Sequence, residues 1–400
     1  MRIVADSGIL GLDALNLEGA DLVLLPGREI TNDKLLNADA LLVRSITRVD
    51  KALIDGTAVR FVGTATSGRN HLDEHYLNSR GIVIADSKGA NASAVVDYVF
   101  AALAYFVGKG VLDAEFQRRV RIGIVGLGSI GGLLNKRLIN AGFTTLCCDP
   151  PLASYENTEK TRSFVQLDEV MRCEVVCIHV PYYERGEYAT RHLIGSRELG
   201  LLPPGALLIN ACRGGVVDEA ALAAFVSKNA EFSYCSDVWQ DEPIVATEVI
   251  SAARLATPHI AGYSRQAKNA ATAMLLTALE EYSSHVKTGT KAGKIRFSLG
   301  LISPNFASDS RRVHEFDTAL SGWQIIERLF TLHSLDGAFR NAAAGGLTPY
   351  LFDSLRKELL QRQEFNNYSV CLKHDVDDSD KLLLAAVGIE VIRSDSCRAL

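Results

Sequence analysis

The sequence predicts an α/β protein built from two doubly wound parallel-sheet domains followed by a small C-terminal α/β domain. Three observations lead there. Short, wholly apolar strand-like runs alternate with helix-like segments through roughly the first two-thirds of the chain, as in parallel sheets covered on both faces. The length, 400 residues, exceeds what one ordinary core holds. Finally, Lys287-Thr288-Gly289-Thr290-Lys291-Ala292-Gly293-Lys294 has linker composition, and the strand–helix pattern restarts beyond it.

Taken in order, Met1-Arg2-Ile3-Val4-Ala5-Asp6 reads as a first strand ended by an acid. Apolar runs at 40–43, 60–63 and 82–84 continue that series. Residues 92–108 suit a long helix connecting it to a second series at 122–125, 144–148, 175–178 and 206–209. An Ala-rich helix is expected over 264–286. In the tail, 350–363 and 380–387 read as helices, and 368–372 and 389–393 as strands. The domain boundaries that follow are 1–98 with 263–286, then 99–262, then 287–400.

Hydrophobic residues make up 48% and charged residues 22% of the chain, an ordinary globular balance. A net charge of -5 gives no reason to expect nucleic acid as a partner. The opening apolar run is too short for a secretory signal, and no run reaches membrane-spanning length, so a cytoplasmic protein with no membrane partner is expected. Cys147, Cys148, Cys173, Cys177, Cys212 and Cys235 sit in apolar runs or beside motif residues, and none forms a C-x-x-C pair. Reduced, buried thiols are therefore expected, with no metal site.

The most informative turn is Gly126-Leu127-Gly128-Ser129-Ile130-Gly131, between a strand and a helix-like run. Gly126 permits the turn, Gly128 lets the backbone approach a pyrophosphate, and Gly131 lets the helix pack on the strand. Ser129 and Ile130 open that helix, whose unpaired N–H groups suit phosphate. The next strand ends in Asp149, an acid placed to bind ribose hydroxyls and repel a 2′-phosphate, which favours NAD over NADP.

Three later segments fall where loops follow strands: Asn210-Ala211-Cys212-Arg213-Gly214-Gly215, Asp237-Val238-Trp239-Gln240-Asp241-Glu242-Pro243 and Thr257-Pro258-His259-Ile260-Ala261-Gly262. Removing a hydride from a 2-hydroxy acid needs a base for the hydroxyl proton and a cation for the carboxylate. His259 has the right chemistry for the first and Arg213 for the second. Glu242 would favour the protonated imidazole and fix which nitrogen faces substrate.

This order of Arg, Glu and His after a glycine-rich turn resembles the D-2-hydroxyacid dehydrogenase family over residues 1–285 or so. The resemblance is strongest to the branch that oxidises 4-phospho-D-erythronate in the pathway to pyridoxal 5′-phosphate. It is carried by Leu25-Pro26-Gly27-Arg28, Arg44-Ser45-Ile46-Thr47-Arg48, Phe61-Val62-Gly63-Thr64-Ala65-Thr66, Ala94-Val95-Val96-Asp97-Tyr98-Val99 and His259-Ile260-Ala261-Gly262-Tyr263-Ser264. In the tail, Phe352-Asp353-Ser354-Leu355-Arg356-Lys357 is similar to that branch's dimerisation domain.

The resemblance implies a flavodoxin-like substrate domain, a Rossmann NAD domain and a homodimer formed through the tail. It also implies catalysis by Arg213, Glu242 and His259, with Asp237 and Gly262 beside the nicotinamide. Ser45, Thr66 and Tyr263 would touch substrate. The two cations and two hydroxyls of Arg44-Ser45-Ile46-Thr47-Arg48 suit a phosphate, with Arg44 and Ser45 the expected contacts. Ser7, Asn70, Lys88 and Val180 depart from the family pattern and leave the three catalytic candidates intact. The alternatives are a dehydrogenase for glycerate, phosphoglycerate or glyoxylate, and a non-catalytic NAD sensor on the same scaffold.

Overall fold

The structure, a computed structural model, describes residues 1–14, 17–113, 116, 119–155, 164–285, 296–297 and 311–393. The linker expected at 287–294 lies outside them. The chain forms two compact units, Met1–Asn91 with Ser264–Ser310, and Ala92–Tyr263 with Arg311–Leu400.

The first unit holds five parallel strands, Arg2–Asp6 (β1), Asp21–Leu25 (β2), Ala40–Val43 (β3), Phe61–Thr64 (β4) and Val83–Asp86 (β5), in the order β2-β1-β3-β4-β5. That is the flavodoxin-like order. The central strands β3 and β4 are buried throughout, which is why they read as unbroken apolar runs. On one face, Ala271, Leu275, Leu276 and Leu279 from the later helix pack with Ile3, Leu42 and Phe61.

In the second unit, parallel strands Arg121–Val125 (β6), Thr144–Cys148 (β7), Val175–Ile178 (β8), Leu207–Asn210 (β9), Ser233–Ser236 (β10) and Leu255–Ala256 (β11) run in the order β11-β10-β9-β8-β6-β7. Phe164 adds a parallel bridge to Cys147 outside β7. Counted as a rudimentary strand, it completes the 3-2-1-4-5-6 order of a dinucleotide-binding sheet. The order reverses between β6 and β8, and ligands bind such sheets at that point.

Helix α1 (Ala92–Gly108) is buried along nearly its whole length within this unit. Its one charged residue, Asp97, is fully buried and accepts from Arg137 Nη1 at 2.7 Å. The tail contributes parallel strands Arg312–Phe316 (β12), Tyr368–Leu372 (β13) and Glu390–Arg393 (β14). Its helices are Gly322–Leu329, Leu332–Ala344, Pro349–Lys357 and Asp378–Val387. Trp323, Ile325, Phe330 and Phe365 of the tail share one core with Tyr98, Ile122 and Ile124.

The six cysteines singled out from the sequence are free and buried. Cys371 on β13, outside that set, is disulfide-bonded. Among the described residues no helix is long and apolar enough to cross a membrane.

Candidate active site

The glycine turn is shaped as its spacing requires. Gly126 has φ +90°, and a Cβ there would lie 2.6 Å from the His179 carbonyl oxygen. A Cβ on Gly131 would lie 1.9 Å from the Gly126 oxygen, so helix Ser129–Asn140 (α2) can approach the strand only with glycine at that position. Gly128 differs, because a Cβ there would meet nothing within 4 Å. Its open face lies at the start of α2, where no side chain caps the helix. Asp149 closes the turn: Oδ2 accepts from Leu127 N–H at 2.7 Å and Oδ1 from Leu152 N–H at 2.9 Å. Open backbone, an uncapped helix start and a fixed carboxylate together fit a dinucleotide. Val180 lies against this turn, within 2.9 Å of where a Gly126 Cβ would sit.

His179, at the end of β8, is buried with neither ring nitrogen hydrogen-bonded, and burial lowers its pKa from 6.5 to about 4. The folded chain keeps this imidazole neutral where the unfolded chain protonates it. Stability is therefore fully present above about pH 6.5 and lost as pH falls toward 4. Denaturant titrations of His179→Leu should show about 2 kcal/mol less stability lost between about pH 6.5 and 5 than in the parent. Equal acid sensitivity of the two proteins would contradict a buried neutral imidazole.

The catalytic candidates stand on the loops after β9, β10 and β11. Glu242 Oε2 and His259 Nδ1 are 2.6 Å apart, and Glu242 Oε1 accepts from Trp239 N–H at 2.7 Å. Burial acts to raise the pKa of Glu242, but the His259 charge and these hydrogen bonds, with Arg356, outweigh it and hold the carboxyl below its usual range. With Nδ1 engaged, Nε2 is the nitrogen left for proton exchange.

Arg213 stands on a loop that packs tightly against the Glu242 loop: a Cβ on Gly214 would lie 1.9 Å from the Trp239 carbonyl oxygen. Its Nη1 donates to the Cys212 carbonyl at 2.6 Å.

His259 has φ +56°, a left-handed conformation uncommon outside glycine, though histidine reaches it more readily than most side chains. The surrounding bonds hold it there. His259 N–H donates to the Asp237 carbonyl at 2.7 Å, and the Asp237 carboxylate accepts from Ile260 and Ala261 N–H at 2.7 and 2.8 Å. Asp237 also accepts from Thr257 Oγ1 at 2.7 Å, which in turn bonds Tyr98 Oη at 2.7 Å. Asp237 is 1% exposed, and burial, opposed by the His259 charge, raises its pKa to about 6. Asp237, expected beside the nicotinamide, thus also anchors the histidine loop through both carboxylate oxygens. Tyr98 and Thr257 were missed by sequence reasoning, since nothing local marks a contact across more than a hundred residues.

Gly262 follows that loop. Tyr263 is gripped from the tail: its hydroxyl accepts from Arg356 Nη2, and its carbonyl accepts from Arg362 Nε at 2.6 Å. Ser45 and Thr66 belong to the first unit, beyond the C-terminal ends of the paired strands β3 and β4. Ser45 is exposed. Thr66 Oγ1 donates to the Gly68 carbonyl at 2.9 Å and lies 2.8 Å from Thr64 Oγ1. Arg44 makes two bonds to the buried Asp6 carboxylate, at 2.8 and 3.0 Å. Its guanidinium lies where a Cβ on Gly8 would sit, 2.3 Å from Cζ, so a side chain at position 8 would displace this ion pair.

Fold and site define a dehydrogenase using a nicotinamide cofactor. Residues 110–261 match the family model described as D-isomer specific 2-hydroxyacid dehydrogenase, NAD binding domain. A 3-phosphoglycerate dehydrogenase of Entamoeba histolytica, solved with NAD, shares the fold at TM-score 0.59 and 21% identity, covering 73% of this chain and 99% of its own. An Aquifex aeolicus D-lactate dehydrogenase, solved with NAD and lactic acid, does so at TM-score 0.57 and 19% identity, covering 71% and 96%.

The chain belongs to the D-isomer specific 2-hydroxyacid dehydrogenase family and is an NAD-dependent oxidoreductase. Among its relatives are erythronate-4-phosphate dehydrogenases. Those of Yersinia enterocolitica and Yersinia pestis are 35% and 36% identical over 384 residues, 96% of this chain and 97% of theirs.

Proposed function

We propose that this enzyme oxidises 4-phospho-D-erythronate to (R)-3-hydroxy-2-oxo-4-phosphooxybutanoate, with NAD as acceptor, in pyridoxal 5′-phosphate biosynthesis. The observation that carries the reading is 35% identity to an erythronate-4-phosphate dehydrogenase over 96% of the chain, tail included. The hydrogen-bonded His259–Glu242 pair supports it.

Arg213 binds the substrate carboxylate through parallel hydrogen bonds and orients C2. His259 Nε2 takes the proton of the C2 hydroxyl, and Glu242, held ionised, balances the imidazolium that forms. Gly126, Gly128, Ser129, Ile130, Gly131 and Asp149 would hold NAD, with Asp237 and Gly262 on its nicotinamide side. When bound, NAD supplies the acceptor for the hydride leaving C2. Ser45, Thr66 and Tyr263 complete the substrate contacts.

The enzyme works in the cytoplasm as a homodimer, with 1–98 and 263–286 as substrate domain, 99–262 as NAD domain and 287–400 as dimerisation domain. The exposed residues of the edge strand β12, Val313 among them, support a role for the tail in assembly.

Initial rates of NADH formation with 4-phospho-D-erythronate, 3-phosphoglycerate and glycerate, each with NAD and NADP, test the substrate. The highest kcat/KM is expected for 4-phospho-D-erythronate with NAD. A preference for either of the other acids would overturn the reading.

A further inference from the structure

We propose that Arg356, a tail residue, is the cation that reads the distal phosphate of the substrate; this rests on the phosphorylated substrate proposed above. Such a substrate carries anions at both ends of a four-carbon chain, so two separated cations are needed around the reacting carbon. Arg213 serves the carboxylate, which leaves the phosphate to be matched.

Arg356 lies near the end of tail helix Pro349–Lys357. Its guanidinium is 4.8 Å from the centre of the Tyr263 ring and 5.6 Å from that of Phe352, and Nη2 donates to the Tyr263 hydroxyl. Tyr263 N–H bonds the Ile260 carbonyl at 2.8 Å, so this tyrosine closes a turn that begins at Ile260, the residue after the catalytic histidine. The charge of Arg356 also reaches Glu242, where it favours the carboxylate.

The guanidinium is only partly satisfied. Its contact with Asp353 is long, at 3.4 Å, and Nε is buried without a hydrogen-bond partner. A buried donor left unpaired is costly, and a planar guanidinium matches a phosphate through parallel bonds. The side chain is 15% exposed.

Arg44, Arg48 and Arg362 have partners of their own. Arg44 pairs with buried Asp6. Arg48 is 84% exposed and pairs with Asp50. Arg362 also has a buried nitrogen without a partner, Nη1, but its Nε and Nη2 are bonded to the Ala94, Ala261 and Tyr263 carbonyls and it lies over the Phe330 ring.

The test compares kcat/KM for 4-phospho-D-erythronate and D-erythronate in the full-length enzyme, Arg356→Met and Arg356→Lys. The methionine variant should lose about 10- to 100-fold with the phosphorylated acid, chiefly through KM. The ratio of the two kcat/KM values should collapse by a similar factor, with part of it kept by the lysine variant. An equal fall with both acids would show that Arg356 only props Tyr263, and would overturn the proposal, as would an unchanged ratio. If circular dichroism shows that the methionine variant does not fold, the ratio in Arg356→Lys and Arg356→Gln decides in the same way. A parent enzyme with no preference for the phosphorylated acid overturns the substrate reading instead.

Discussion

Replacing His259 with alanine is expected to lower kcat by about 100- to 10,000-fold, the usual worth of a positioned acid–base group. The effect should fall on turnover, with NAD affinity nearly kept, because Asp149 at the glycine turn is held by Leu127 and Leu152 N–H rather than by the histidine loop. Single-turnover reduction of NAD and fluorescence titration of NAD binding separate the two quantities. Full turnover in this variant would remove His259 from the chemistry. Glu242→Gln should cost less, because the histidine loop is also held by Asp237. It should also change the pH profile, since an amide cannot balance the imidazolium.

Ending the chain before Arg311 should abolish the cooperative fold of the second unit. Trp323, Ile325, Phe330 and Phe365 would be lost from the core that also contains Tyr98 and Ile124. At about 1.5–3 kcal/mol for each large apolar side chain, four such losses rival the whole stability margin of about 5–15 kcal/mol. Specific bonds go with them: Ala256 N–H to Asp336 at 2.8 Å, Arg340 to the Ile250 and Ala253 carbonyls at 3.0 and 2.6 Å, and Phe365 N–H to Asp97 at 2.7 Å. Near-ultraviolet circular dichroism and thermal melting would report the loss. A truncated chain that melts cooperatively and binds NAD would refute the expectation.

The features legible in the sequence share one property: their chemistry is local. The glycine turn, the acid ending β7 and the loops of Arg213, Glu242 and His259 are each written within a few residues, next to apolar strands that mark where the chain turns. What stayed hidden depends on distant partners. The pairing of Arg44 with Asp6, thirty-eight residues away, leaves no local trace in the sequence. The bonds from Asp237 to the amides of 260 and 261, more than twenty residues on, leave no local trace in the sequence either. The tail reads as a separable module because its own strand–helix pattern is complete. Only packing shows that its apolar faces share a core with α1 and β6. The bridge at Phe164 was invisible for another reason, since one residue of pairing leaves no periodicity to detect.

The left-handed backbone at His259 bears on how this enzyme could decay over generations. Only glycine, asparagine, aspartate and histidine occupy that conformation with ease. A lineage that drifts into using the scaffold for sensing or scaffolding can discard its base cheaply only through that short set of replacements. Valine or isoleucine there would disturb the loop as well as the chemistry. An asparagine or glycine at this position in a descendant that still binds NAD would mark retirement from catalysis with the architecture intact.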